Sequence, residues 1–411
     1  MKFEDYRIAD EIKLNLTEAG FKKPTDIQYK AIPAILKGED VLAIAQTGTG
    51  KTAAFAIPVI DLILKKKSSS RSEGIKCLVM VPTRELATQI TKVFQQLSKH
   101  TKVHAYGIVG GVEQDPQIAK LEKGIDILIA TPGRLFDLVN QGHIRLTDVQ
   151  TLILDEADHM LKLGFLKDIQ DVIKYLPKKR QTLFFSATID EQIKKIAYSL
   201  VTRAIRIQIS PNDRVAKNIS HSVTYIQMDD KRFFLERMIR QNEESKILVF
   251  VRTKVRAERV FAALERMGIK SVTLHGDKDQ ENRFIALEQF RSGDIHVMIA
   301  TDVSARGIDI EAVDFVVNYD LPEQVENYVH RVGRTGRGVN KGQAVSFCSP
   351  EEKPLLHEIQ HYLGNPINVL DMSKSEYEET INFTEDTNLD LSSLMKEVEE
   401  FQSKKKKPKK K

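Results

Sequence analysis

The sequence predicts an α/β protein with two tandem domains, each a mostly parallel sheet with helices on both faces. Short apolar runs alternate with helical segments in two successive series, the first beginning near residue 41 and the second near residue 222. The length of 411 residues also favours two domains, because a typical domain has about 100–200 residues. A polar, proline-containing stretch separates the series. We therefore expect domains at 1–208 and 220–368 with a linker at 209–219.

Composition restricts the class of protein. Apolar runs stay well short of the ~20 residues that a membrane helix needs, and residues 1–5 lack the apolar core of a signal peptide. Cys77 and Cys348 each lie in an apolar run, where a free thiol behaves as a small buried hydrophobe. We expect a soluble, cytoplasmic protein without a disulfide framework or a cysteine-based metal site.

Two helices are predicted before the first strand. Apolar spacing from Ile8 to Ala19 predicts one helix, and a second runs from Gln28 to Leu36. Phe21 and Gln28 therefore lie just upstream of the first strand. An aromatic ring can stack on a base and an amide can read an adenine edge. Taken alone, however, the two positions favour the plainer interpretation of a packing aromatic residue and a surface amide.

The segment 45–52 follows the apolar strand 41–45 and precedes an Ala-rich helix. Strand, glycine loop and helix start together form a phosphate cradle, in which Lys51 reaches the β- and γ-phosphates and Thr52 holds Mg²⁺. The strict pattern G-x-x-x-x-G-K-[ST] has Ala45 in place of its first glycine. A glycine-threonine surface turn is the alternative interpretation.

The acidic tetrad 155–158 directly follows the predicted strand 151–154. Parallel α/β sheets bind ligands at the carboxyl ends of their strands, so these carboxylates are expected beside the phosphate loop. Asp155 is placed to hold Mg²⁺, and Glu156 to polarise the water that attacks the γ-phosphate. The hydroxyls of 186–188, at the end of the next strand, are placed to bond to the tetrad.

The second series lacks a phosphate loop but contains an arginine-rich segment, 330–337. Guanidinium groups stay charged and bind phosphate oxygens bidentately, so arginines inserted across a domain cleft stabilise a transferred phosphoryl group. A basic, glycine-rich RNA-binding loop is the alternative. Asp309, in segment 301–309, is an acceptor suited to ribose hydroxyls.

Residues 369–411 are expected to form a disordered tail. Its part 371–403 carries ten acidic side chains and two Lys, and 404–411 contains seven Lys. Such a run is either a solvated end or a source of non-specific attraction to phosphate backbones.

Taken in order, these motifs resemble the DEAD-box RNA helicases, of the bacterial type, over residues 3–350. The quoted matches are Phe21 with 24–28, 45–52, 82–87, 110–111, 131–134, 155–158, 186–188, 249–253, Gln280 with Arg283, 300–309 and 330–337. Ala45 is common in this family. Two departures are Ser304, where the family commonly has Ala, and His159, where Arg is common.

The resemblance implies two RecA-like domains and an ATP- and Mg²⁺-dependent RNA helicase with little sequence preference. It implies nucleotide contacts from Phe21, Gln28, Thr47, Gly48, Thr49, Gly50, Lys51, Thr52, Gly307 and Asp309. It implies catalytic roles for Lys51, Asp155, Glu156, Arg334 and Arg337, with Mg²⁺ held by Thr52 and Asp155. It implies RNA contacts from Arg84, Gly111, Thr131, Arg134, Arg252, Thr253, Gln280, Arg283 and Thr301. Coupling between the two sites is implied for Asp158, Ser186, Thr188 and His330.

Two other functions remain open from the sequence. An ATP-gated RNA clamp or scaffold would hold RNA without unwinding as its main task, and stable RNA complexes with ATP analogues would distinguish it. A DNA-translocating helicase of the same superfamily is disfavoured by the Gln28 element and the acidic tetrad.

Overall fold

The computed structural model describes residues 2–45, 48–69, 72–189, 191–209, 215, 218–305, 313–336 and 341–385. The strands of the first domain are β1 Val41–Ile44, β2 Cys77–Met80, β3 Ala105–Ile108, β4 Ile127–Ala130, β5 Thr151–Leu154, β6 Gln181–Ser186 and β7 Ile205–Gln208. Its helices are α1 Asp10–Glu18, α2 Asp26–Leu36, α3 Lys51–Lys66, α4 Arg84–Leu97, α5 Asp115–Glu122, α6 Pro132–Asn140, α7 Ala157–Lys162, α8 Leu166–Tyr175 and α9 Glu191–Leu200.

The second domain repeats this alternation of strands and helices. Its strands are β8 Ile219–Tyr225, β9 Ile247–Val251, β10 Ser271–Leu274, β11 Val297–Thr301, β12 Phe315–Asn318, β13 Gly342–Cys348 and β14 Asn368–Val369. Its helices are α10 Lys231–Gln241, α11 Lys254–Arg266, α12 Gln280–Ser292, α13 Asp302–Ala305, α14 Val325–Val332, α15 Lys353–Leu363 and α16 Lys374–Glu385.

The two sheets have the same topology. The first has strand order β3-β4-β2-β5-β6-β1-β7 and the second β10-β11-β9-β12-β13-β8-β14, which is the same order when each domain is counted from its own first strand. The pairings of β1 with β6 and of β8 with β13 are parallel, as are the other pairings within the described residues. The predicted fold class is confirmed, and β8 with α10 takes the place in the second domain that β1 with α3 takes in the first.

Each sheet is buried on both faces. Along β1, Ala43 packs into one apolar cluster with α1 to α4, while Leu42 packs into a second cluster on the opposite face. In the second domain, Leu248 and Val249 of β9 likewise belong to clusters on opposite faces. Burial on both sides explains why these strands are continuous apolar runs without alternation.

Several elements were not predicted from the sequence, among them α8, α9, β7, α13, α15 and β14. Strand β7 is largely exposed at the edge of its sheet, with Ile207 as its buried residue, so it lacks an apolar run that would reveal it. It ends at Gln208, and β8 begins at Ile219. Most of the predicted linker 209–219 lies outside the described residues.

The prediction of a disordered tail from residue 369 is wrong for residues 374–385, which form α16. Tyr377 of this helix packs against Phe234 of α10 with ring centroids 4.9 Å apart, and its hydroxyl donates to Asp230 Oδ2 at 2.7 Å. These contacts fix an acidic helix whose composition resembles a solvated segment. Residues 386–411, including the lysine run, lie outside the described residues.

Within the part of the chain that the structure describes, no helix combines the length and apolarity needed to cross a membrane.

Candidate active site and nucleic-acid interface

The phosphate loop lies between β1 and α3. Gly50 precedes α3 with φ 91°, a left-handed conformation that favours glycine. A Cβ added at Gly50 would lie 2.6 Å from Gln28 Nε2, so a side chain here would displace Gln28. Lys51 begins the helix and is buried, and its Nζ has no hydrogen-bond partner among the described residues. A buried ammonium without a partner is well suited to an anionic ligand, and phosphate is such a ligand.

Gln28 connects the helix start of α2 to the phosphate loop. Its Oε1 accepts from Thr25 N at 3.0 Å, and its Nε2 donates to the Gly50 carbonyl at 3.1 Å. Gln28 is buried, which excludes the surface amide considered above. Each end of the amide keeps one further hydrogen-bonding position, as adenine recognition requires. Phe21 is partly buried and packs edge-to-face on Phe3 with centroids 5.9 Å apart.

Asp155 and Glu156 follow β5 and are both buried. Glu156 is the residue before α7 and has φ 50°, a left-handed conformation that is strained for a residue with a side chain. Burial raises the pKa of Asp155 to about 6, although the charge of Lys51 acts in the opposite direction. Burial also tends to raise the pKa of Glu156, but a hydrogen bond from His159 and the charges of Lys51 and Arg334 outweigh it and hold the value at about 2.

This acidic pair fits a hard cation. Oxygen ligands are those that Mg²⁺ prefers, and Asp155 together with the hydroxyl-bearing Thr52, directly after Lys51, supplies such groups beside the phosphate loop. Burial raises the pKa of Asp155, which means that the protein groups around it do not fully compensate the carboxylate for its lost hydration. A bound cation would supply the missing positive charge.

The second domain contributes Arg334 to this site. Arg334 is buried, its Nε donates to the His330 carbonyl at 3.2 Å, and its charge lowers the pKa of Glu156 in the first domain. An arginine from the second domain therefore lies close to the acidic pair of the first. Four predicted site residues, Thr47, Gly307, Asp309 and Arg337, lie outside the described residues.

The predicted contact between the acidic tetrad and segment 186–188 is present. Thr188 Oγ1 donates to Asp158 Oδ2 at 3.0 Å, and Ala187 N donates to Asp158 Oδ1 at 3.4 Å. The Ser186 hydroxyl instead donates to the Thr188 carbonyl at 2.7 Å. The tetrad is thus tied to the end of β6 by direct hydrogen bonds.

Several predicted RNA-binding residues meet across the domain cleft. Arg84 Nη1 donates to Gln280 Oε1 at 3.0 Å, and Arg283 Nη2 lies 2.7 Å from Glu85 Oε1. Gln280 Nε2 also donates to Glu85 Oε1 at 3.3 Å. Glu85 was not predicted as a functional residue, although its position directly after Arg84 made it a candidate partner for a facing cation.

Gly111 makes room for Arg84. Its φ is 72°, and a Cβ at this position would overlap the Arg84 guanidinium. The guanidinium therefore rests directly on the backbone of the 110–111 turn, which is a place where glycine is required. On the same domain, Arg134 Nη2 donates to the Val112 carbonyl at 2.9 Å, and Thr131 precedes α6 as its N-cap residue.

The other predicted RNA-binding residues of the second domain are engaged in internal contacts. Thr253 Oγ1 accepts from Arg256 N at 3.1 Å and caps α11. Thr301 Oγ1 lies 3.0 Å from Ser304 Oγ, so the departure at Ser304 adds a hydroxyl beside Thr301. Arg252 is also held within its own domain, where its Nη2 donates to Glu352 Oε1 at 2.9 Å.

A buried ion pair lies where α10 begins. Lys231 is fully buried, and its Nζ donates to Glu352 Oε2 and, at 2.7 Å, to the Tyr319 carbonyl. In the shared topology Lys231 corresponds to Lys51, since each is the first residue of the helix after the equivalent strand. Glu352 is 121 residues away in sequence, so sequence patterns gave no signal of this pair.

Comparison with known proteins supports this arrangement. The profile of the DEAD/DEAH box helicase family matches residues 25–196, and that of the helicase conserved C-terminal domain matches 230–339. The ATP-dependent RNA helicase RhlB of Shewanella woodyi is 41% identical over 375 residues, covering 90% of this chain and 84% of the relative. RhlB of Shewanella frigidimarina is 40% identical over 377 residues, covering 91% and 87%.

Two solved structures are similar over both domains. Dbp5 of S. cerevisiae, bound to RNA and ADP BeF3, has a TM-score of 0.82 and 30% identity, covering 93% of this chain and 98% of that one. The DEAD-box helicase Mss116, bound to ssRNA and UDP-BeF, has a TM-score of 0.81 and 27% identity, covering 92% and 81%. The similarity therefore includes the relative arrangement of the two domains.

Proposed function

Since this chain belongs to the DEAD-box family of ATP-dependent RNA helicases, we propose that it separates RNA strands by closing its two domains around ATP and single-stranded RNA. ATP-dependent RNA helicase activity follows from the family membership.

ATP binding is assigned to the first domain. Lys51, with its buried and unpartnered Nζ, binds the β- and γ-phosphates, and the backbone of 48–50 surrounds them. Gln28 recognises adenine and Phe21 stacks on it. Because Gln28 also bonds to Gly50, the adenine contact and the phosphate loop are mechanically linked. The family resemblance adds Thr47, Thr49, Gly307 and Asp309 to this site.

Hydrolysis is assigned to the acidic pair and the arginines of the second domain. Glu156 polarises the attacking water, and Asp155 with Thr52 would hold Mg²⁺, which would supply positive charge at the phosphates. Arg334 stabilises the charge that develops on the transferred phosphoryl group, and Arg337 is proposed to act with it. This assignment is supported by the contact of the two domains, in which Arg84 Nη1 of the first donates to Gln280 Oε1 of the second at 3.0 Å.

RNA binding is assigned to the groups that meet at the cleft. Arg84, Gln280 and Arg283 come from both domains, so their arrangement depends on closure. Contacts to sugar and phosphate carry little sequence information, so the RNA is bound without strong sequence preference. The remaining members of this surface, proposed from the resemblance, are Gly111, Thr131, Arg134, Arg252, Thr253 and Thr301.

Coupling between ATP and RNA is proposed to pass through Asp158, Thr188, Ser186 and His330. The hydrogen bond of Thr188 to Asp158 ties the acidic tetrad to the end of β6, and the His330 carbonyl accepts from Arg334 Nε at 3.2 Å. Closure thus assembles both sites together, and hydrolysis returns the domains to the open arrangement. We propose that the chain acts in the cytoplasm, where both ATP and RNA are present.

Replacement of Arg334 in the full-length chain tests the proposal. We expect Arg334→Ala to lower RNA-stimulated ATP hydrolysis by about 10³- to 10⁵-fold with ATP affinity preserved, because the arginine acts on transition-state charge. Arg334→Lys is the matched control, because it keeps the positive charge but loses the bidentate guanidinium. Its rate of ATP hydrolysis should lie between the rates of Arg334→Ala and the parent. Hydrolysis and strand separation at the parental rate in Arg334→Ala would contradict the two-domain site.

A further inference from the structure

His159 follows the acidic tetrad directly and has no role in the proposed mechanism of ATP hydrolysis. It is buried, with 4% of its surface exposed, inside the first domain. Buried histidines are partnered in most proteins, so its contacts indicate what it does. Those contacts lead to Glu156.

The start of α7 brings the two side chains together. Glu156 precedes the helix in its left-handed conformation, and His159 N donates to the Glu156 carbonyl at 2.9 Å. This turn puts His159 Nδ1 3.4 Å from Glu156 Oε2. The distance is long for a hydrogen bond, as is common in catalytic sites without substrate.

The chemistry of the pair determines which nitrogen carries the proton. An ionised carboxylate only accepts hydrogen bonds, so the nitrogen that faces Glu156, Nδ1, must donate. Nε2 on the other side of the ring is buried without a partner in the described part of the chain. The contact with Glu156 therefore places a proton on Nδ1, the nitrogen that faces the carboxylate.

We propose that His159 is a positioning residue that holds the Glu156 carboxylate through Oε2 and leaves Oε1 for the water that attacks the γ-phosphate. Glu has three rotatable side-chain bonds, so a carboxylate without this contact samples orientations in which it does not reach the water. The inference rests on the role of Glu156 in the proposed function. It gives a role to His159, which stands where the family commonly has Arg.

The first test compares two substitutions of His159 in the full-length chain at saturating RNA. His159→Leu removes the donor, and we expect kcat for ATP to fall about 10- to 100-fold, the range seen for groups that orient a functional side chain. KM for ATP should stay within about twofold, since His159 does not touch the nucleotide in this scheme. His159→Asn places an amide N–H where Nδ1 was and should restore most of kcat.

A matched control separates this effect from the loss of any histidine-glutamate pair. His100 Nε2 lies 3.0 Å from Glu18 Oε1 in the same domain, outside the proposed sites. His100→Leu should leave kcat at the parental value. Thermal unfolding of each variant identifies a folding defect, and if His159→Leu is unstable the comparison of His159→Asn with the parent carries the test.

A double substitution determines whether His159 acts through Glu156. In the Glu156→Gln background, single-turnover hydrolysis should be unchanged when His159→Leu is added, because the positioned group is already gone. A further loss of similar size in that background would overturn the inference, as would parental kcat in His159→Leu or a kcat in His159→Asn as low as in a folded His159→Leu. A parent chain that fails to hydrolyse ATP would overturn the proposed function itself.

Discussion

Glu352 is the residue whose replacement we expect to destabilise the second domain most clearly. Its carboxylate is buried and accepts from four donors: Lys231 Nζ, Arg252 Nη2 at 2.9 Å, Leu321 N at 3.0 Å and Ser349 N at 3.1 Å. Glu352→Gln keeps the shape but removes the charge, and it turns an NH₂ group toward donors that need an acceptor.

The size of the effect follows from the burial of Lys231. Burial lowers the pKa of Lys231, and the charge and hydrogen bond of Glu352 oppose this shift. Breaking a buried ion pair by removing one partner costs about 3–5 kcal/mol. Asp320 Oδ1, 4.0 Å from Lys231 Nζ, remains as a weaker partner, so we expect about 3 kcal/mol.

Urea unfolding followed by circular dichroism measures this loss, since the chain has no Trp to serve as a fluorescent probe. Glu323→Gln is the matched control: Glu323 is 72% exposed and 3.9 Å from Arg252 Nε, and its loss should cost less than about 0.5 kcal/mol. A Lys231→Met/Glu352→Met double variant should be more stable than Glu352→Gln, because the fully buried Lys231 ammonium is removed together with its main partner. A loss in Glu352→Gln as small as in the control would refute this account.

Three further predictions concern the nucleotide and the tail. Glu156→Gln should still bind ATP and RNA in equilibrium titrations but hydrolyse ATP very slowly, because the phosphate lysine remains while the water activator is lost; normal turnover would remove the role given to Glu156. Gln28→Ala should lose the preference for ATP over GTP in competition assays, and a parent that uses both equally would contradict adenine recognition. Removing 404–411 should weaken RNA binding and flatten its salt dependence by about 0.7 in log–log slope per lost phosphate contact, with maximal ATPase unchanged; parallel slopes of equal affinity would show that the lysines do not bind RNA.

The sequence predicted those parts of the fold in which local pattern and position agree. Apolar runs predicted β5 with its observed ends and β1 to within one residue of its observed end. The contact of Asp158 with Thr188 was expected because both residues follow neighbouring strands of a parallel sheet. Contacts between side chains that follow neighbouring parallel strands can therefore be predicted from the sequence once the sheet is recognised.

What the sequence did not reveal depends on contacts between distant segments. Helix α16 was hidden by its acidic composition, since its stability comes from Tyr377 and its packing on α10. The inward turn of Arg252 depends on Glu352, a residue one hundred positions later. No local periodicity records such pairings, because they are decided by which side chains the completed fold brings together.

The shared strand order of the two sheets has a consequence for the stoichiometry of the reaction. Lys231 stands at the helix start that corresponds to Lys51, but a carboxylate from the same domain already neutralises it. A triphosphate would have to displace Glu352 from Lys231 and would be repelled by its negative charge. The second domain therefore has the strand order of the first without its nucleotide-binding site. We therefore expect one ATP to be hydrolysed per closure, with the second domain acting as the partner that completes the site of the first.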